Sequence, residues 1–151
     1  MHPAVLMSTI LRALPFAMFA LATGGSSSAM SPASPLSLAG HVWSWQEMRT
    51  STGERVVVTT PDSYTIEFMS DGVLRVRADC NRGSGRYSGG PGPTLAIGPI
   101  AATKMGCPDG SQDRLFLKFL HSVERYRLEG PHLVLDTPAT GASMRFVALV
   151  Q

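Results

Sequence analysis

The stretch Tyr64-Thr-Ile-Glu-Phe-Met-Ser-Asp-Gly-Val-Leu-Arg-Val-Arg-Ala-Asp79 decides the fold. Its first half alternates, with Tyr64, Ile66 and Phe68 on one face and Thr65 and Glu67 on the other, the period of a half-buried strand. Ser70-Asp71-Gly72 then reads as a turn, because Gly72 can take the positive φ that a tight hairpin needs. The return strand from Val73 to Asp79 places Leu74, Val76 and Ala78 on one face, with Arg75, Arg77 and Asp79 on the other. The inward pattern extended by one step puts Cys80 in the core.

Outward from this hairpin the same period predicts strands over 41–49, 54–60, 86–88, 94–97, 125–128, 132–136 and 143–150. Only residues 111–123 change period. Leu115, Phe116, Phe119, Leu120 and Val123 share one helical face, with Asp109 or Ser111 as the cap and Asp113 in the first turn. The expected architecture is α+β, a curved antiparallel sheet or partial barrel whose one opening is closed by a single packed helix. Composition agrees with it. Apolar residues make up 44% of the 151 and charged ones 16%, enough for a core, and 15 Gly with 11 Pro suit short strands and many turns.

The N-terminus reads as an address. Arg12 precedes the apolar run Ala13–Ala22, too short for a bilayer span and of the size of a secretory h-region. Residues 1–29 are therefore expected to be a signal peptide, cut after Ala22 or Ala29, with translation starting at Met1 or Met7. Residues 30–35 form a leader and 36–151 the domain. No cysteine follows the h-region, so the expected product is periplasmic or secreted, without a lipid anchor or a transmembrane span. Thirteen Lys and Arg stand against eleven Asp and Glu, and the excess of two falls to one once Arg12 is removed, which argues against nucleic acid as a partner. A monomer is expected.

Cys80 and Cys107 are the two cysteines, and an oxidising compartment favours a structural disulfide between them. The rival reading, a reactive thiol, would want a C-x-x-C spacing or an activating His near Cys80 in sequence. Gly83-Ser-Gly85-Arg-Tyr-Ser-Gly89 fails as a dinucleotide fingerprint because its third glycine comes one residue late and a strand follows. His41, His121 and His132 stand apart, without metal-ligand spacing, and no cofactor is expected. There is no G-x-S-x-G elbow. Trp43 and Trp45 share a face of the first strand, where they either line a ligand mouth or fill the core. Leu117 and His121 lie off the helix's apolar stripe, facing a groove or a partner.

The strings Phe68-x-x-Asp71-Gly72, Asp79-Cys80-Asn81-Arg82-Gly83-Ser84-Gly85-Arg86-Tyr87 and Thr103-Lys104-Met105-Gly106-Cys107-Pro108 resemble the META domain, the family of the heat-shock protein HslJ. The similarity continues through Asp113-x-x-Phe116-Leu117-x-x-Leu120, Leu133-x-Leu135 and Met144-x-Phe146, and covers Leu36 to the C-terminus. It implies the same fold, an envelope location and a link to stress tolerance, including tolerance of novobiocin. It implies no catalytic residues. Asn81, Gly83, Gly85, Tyr87, Thr103 and Met105 enter as structural motif residues: Asn81 to take a left-handed conformation at a corner, the glycines to kink or bulge, and Tyr87 to send its hydroxyl to a backbone partner. Many relatives are lipoproteins, and this chain lacks their lipid-bearing cysteine. The function expected first is a non-enzymatic envelope protein acting in stress tolerance. Two alternatives are a small apolar-ligand or lipid binder and an inhibitor of a secreted hydrolase such as lysozyme, the partner being an envelope protein or a lipid.

Overall fold

The structure, a computed structural model, describes residues 37–89 and 92–150. The expected signal peptide and leader lie outside them. Ten strands and one α-helix occur among the described residues, in the order β1 Val42–Arg49, β2 Arg55–Val57, β3 Tyr64–Phe68, β4 Val73–Ala78, β5 Asn81–Gly89, β6 Leu95–Ile97, β7 Ala101–Ala102, α1 Asp113–Leu120, β8 Arg125–Glu129, β9 His132–Thr137 and β10 Ala142–Ala148. All the pairings between these strands are antiparallel, in the order β6-β5-β4-β3-β1-β10-β9-β8, with β2 added on β1 and β7 on β5. The two ends of this path meet: the amide of Leu95 donates to the carbonyl of Glu124 at 3.0 Å and that of Tyr126 to Pro93 at 2.8 Å. The sheet is a nearly closed barrel, and a single eight-residue helix makes α+β a label that understates the sheet.

The hairpin over 64–78 forms as the alternation requires. Tyr64, Ile66, Phe68, Leu74, Val76 and Ala78 are buried, and Gly72 has φ +81° in the three-residue turn. In β1 the alternation breaks. Register slips by one residue between Trp45 and Glu47, so that Trp45 lies opposite Phe146 and Met48 opposite Met144. That bulge turns Met48 inward on the same side as Trp43 and Trp45, which a regular strand would not allow. The helix ends at Leu120, short of Val123, and Gln112 rather than Asp109 or Ser111 occupies its cap position, its own side chain making no cap bond, while Ser111 Oγ still accepts from the amide of Asp113. Eight residues are marginal as a free helix. Packing holds this one: Phe116 is fully buried, its ring 5.1 Å from Trp45 and 5.6 Å from Tyr64 between centroids.

The segment after Cys80 departs most from expectation. β5 runs from Asn81, well before the strand expected at Arg86, and Gly83 and Gly85 sit in regular register with Val76 and Leu74, without a kink or bulge. Their lack of a side chain has another use. A Cβ at Gly83 would lie 2.8 Å from the Ala101 carbonyl and 3.0 Å from Ile100, and one at Gly85 2.9 Å from the Pro99 carbonyl. Ile100 occupies the space that side chains at 83 and 85 would fill.

Candidate functional site

β4 and β5 are joined by a two-residue turn, Asp79-Cys80, in which Asp79 carries the positive φ of +57°. Two expectations are corrected here. Asn81 does not take the left-handed conformation; it is the first residue of β5. Cys80 is half-buried in the turn, not in the core, because the turn consumes two residues and hands the inward position to Asn81.

Asn81 is 3% exposed and joins three segments. Its Oδ1 accepts from the Thr103 hydroxyl at 2.9 Å and from the Met105 amide at 2.8 Å. Its Nδ2 donates to the Met105 carbonyl at 3.3 Å, to Cys107 Sγ at 3.3 Å and to Asp113 Oδ2 at 3.1 Å. Both ends of the amide are thus satisfied, as burial demands. The Cys80–Cys107 disulfide ties the turn to the same loop. At the helix start, Tyr64 Oη accepts from the Gln112 amide at 2.8 Å and Ser111 Oγ from the Asp113 amide at 3.3 Å. Tyr87, half-buried, donates its hydroxyl to the Met69 carbonyl at 2.7 Å.

Above this network a groove of about 430 Å³ runs between the loop and α1. Ile100, Thr103, Lys104 and Met105 line one side, Asp113, Arg114 and Leu117 the other, and Asn81 the base. Met105 is 60% exposed. Lys104 and Arg114 bring two cations to a lining in which Ile100, Met105 and Leu117 are apolar, and the carboxylate of Asp113 is already held by Asn81 and by Ser111, whose hydroxyl lies 3.3 Å from Oδ1. This lining suits binding by shape and charge. His121 is exposed past the helix end and does not line the groove; Leu117 does.

Trp43 and Trp45 do not form a ligand mouth. Both are fully buried, Trp43 Nε1 donating to the Leu38 carbonyl at 3.0 Å and Trp45 Nε1 to Glu47 at 2.9 Å, so they belong to the core. Among the described residues no group of three or more His, Cys, Asp or Glu could hold a metal ion, and no helix is long and apolar enough to cross a membrane.

The groups with shifted titration, Glu47, Arg127 and Glu129, lie on β1 and β8. Partial burial works to raise the Glu47 carboxyl, but hydrogen bonds from Arg55 and Arg49 outweigh it and hold it below the usual value. The Glu129 carboxyl is lowered by its hydrogen bond from Arg127, which also pairs with Asp136 and is itself raised by Glu129. Every arginine just named meets a carboxylate.

Sequence reasoning named Asn81, Thr103 and Met105 but missed the groove, since Ile100, Lys104 and Arg114 come from separate segments without a joint spacing. The off-stripe position of Leu117 was its one signal. The META domain family model matches residues 36–151. Among solved structures, a protein from Burkholderia xenovorans is 22% identical with a TM-score of 0.63, covering 83% of this chain and 96% of that one. A DUF4847-family protein from Bacteroides vulgatus is 14% identical with a TM-score of 0.56, covering 76% and 96%. These likenesses show the fold. Among curated proteins, none matches.

Proposed function

The chain belongs to the META domain family, and from that premise we propose an exported, non-enzymatic protein of the cell envelope that supports tolerance of stress by binding a partner in the groove beside α1. The observation that carries this reading is the Cys80–Cys107 disulfide, which fixes the wall of the groove and suits an oxidising compartment. The apolar run at Ala13–Ala22 supports export.

A strain lacking the gene is expected to lose survival under heat, detergent or novobiocin. The wild-type gene should restore it, and one carrying Met105→Glu with Arg114→Glu should not, although that protein accumulates normally, since Met105 is largely exposed and Arg114 is a surface residue. Unchanged sensitivity of the deletion strain would remove the stress role. Full rescue by the double variant would remove the groove from it. Ile100, Met105 and Leu117 favour a second reading, a small apolar ligand in the same groove. A lipid retained by the wild type and lost from the double variant would select it.

A further inference from the structure

The outer face of β3–β5 carries arginines unlike those described above. Register sets Thr65, Arg77 and Arg82 in one row across these strands, and Glu67, Arg75 and Ser84 in the next. The Arg82 amide donates to Thr103 Oγ1 at 3.1 Å and its carbonyl accepts from the Thr103 amide at 2.9 Å. Arg77 and Arg82 are therefore a non-hydrogen-bonded cross-strand pair, the kind whose side chains stand closest. Like charges directly opposite each other are unfavourable. Among the described residues neither arginine meets a carboxylate. Arg77 Nη1 donates to the Asp62 carbonyl at 3.2 Å and Arg82 Nη1 to the Asp79 carbonyl at 3.5 Å. Arg77 Nε is shielded from solvent and has no acceptor.

These side chains line a cleft of about 250 Å³ together with Thr65, Glu67 and Arg75. Glu67 opposes an anion there, but Arg75 lies 3.6 Å from it, and three guanidiniums against one carboxylate leave two positive charges. We propose that this cleft is a phosphate-binding site, in which Arg77 and Arg82 clamp a phosphate monoester or a phospholipid headgroup and Thr65 supplies a hydroxyl. Guanidinium forks converging from two strands ask for more acceptor oxygens than one carboxylate has, and a phosphate group offers them with up to two negative charges. The site is separate from the groove beside α1 and does not depend on its reading.

Thermal melts with glycerol 3-phosphate, against sodium chloride at equal ionic strength, test the soluble source. Sedimentation with vesicles of phosphatidylcholine, with and without phosphatidylglycerol, tests the headgroup. At least one probe should bind saturably. Arg77→Gln with Arg82→Gln should weaken that binding by about tenfold or more, the scale of losing charge-assisted bidentate contacts. Lys118→Gln, on the helix and outside the cleft, should leave it unchanged. Without ligand the double variant should melt no lower than the wild type, since a like-charge pair has been removed. If it fails to fold, Arg82→Gln alone carries the test, because Arg82 is exposed. Binding of neither probe, binding kept by the arginine variant, or equal loss in Lys118→Gln would overturn the proposal.

Discussion

Replacing Cys80 and Cys107 together by alanine is expected to lower stability by about 3–4 kcal/mol, the chain-entropy estimate for releasing a loop of this length. The two residues are 27 apart in sequence, and the disulfide closes the span holding β5, β6, β7 and the loop of the groove. For a domain of this size that loss corresponds to a fall in Tm of about 10–20 °C. Calorimetry of the double variant checks it, with the reduced wild type as a second sample that should melt close to the variant. The barrel pairing does not pass through the disulfide, so the variant should still fold at low temperature. A fall of under about 1 kcal/mol would mean that the Asn81 network alone fixes the loop.

Asn81→Ala is the second large effect. The side chain is buried and makes five polar contacts, to Thr103, twice to Met105, to Cys107 and to Asp113. Truncation leaves the Met105 amide without its acceptor and the Asp113 carboxylate with Ser111 alone, and a polar group left unpaired away from water costs about 1–3 kcal/mol. Water entering from the open groove offsets part of this, which gives an expected loss of about 2–4 kcal/mol. Denaturant unfolding measures the total. Amide exchange locates it: protection of the Met105 amide should drop more than that of Ile66 or Val76 in the barrel. Equal stability of variant and wild type would show that the network is incidental to the fold. Because the loop is one wall of the groove, the variant should also fail to complement the deletion strain.

Where local pattern controls structure, the sequence was readable. The hairpin over 64–78 needed only a period of two and Gly72, and the helix only its apolar stripe. Trp43 and Trp45 were rightly put on one face, but whether that face was core or mouth depended on Phe116 arriving from far along the chain. Cys80 was misplaced because a two-residue turn at Asp79-Cys80 resets the alternation; aspartate tolerates the positive φ at Asp79, but it marks a turn less strongly than glycine, and the neighbouring Asn81 offers the same tolerance. Gly83 and Gly85 were taken for a kink because glycine weakens a strand by default, whereas here the missing side chains admit Ile100. β7, two residues long, has no pattern to detect. The groove and the arginine cleft follow from register and from tertiary approach, which no single segment encodes.

The central claim is that this domain is exported and works with its disulfide closed. Intact-mass measurement of the unreduced protein, expressed in a bacterial host and recovered from the periplasm, tests it most directly. The expected mass is that of a chain beginning at Thr23 or Met30, two hydrogens below the reduced value. An uncleaved chain confined to the cytoplasm, with both thiols free to alkylate, would contradict it.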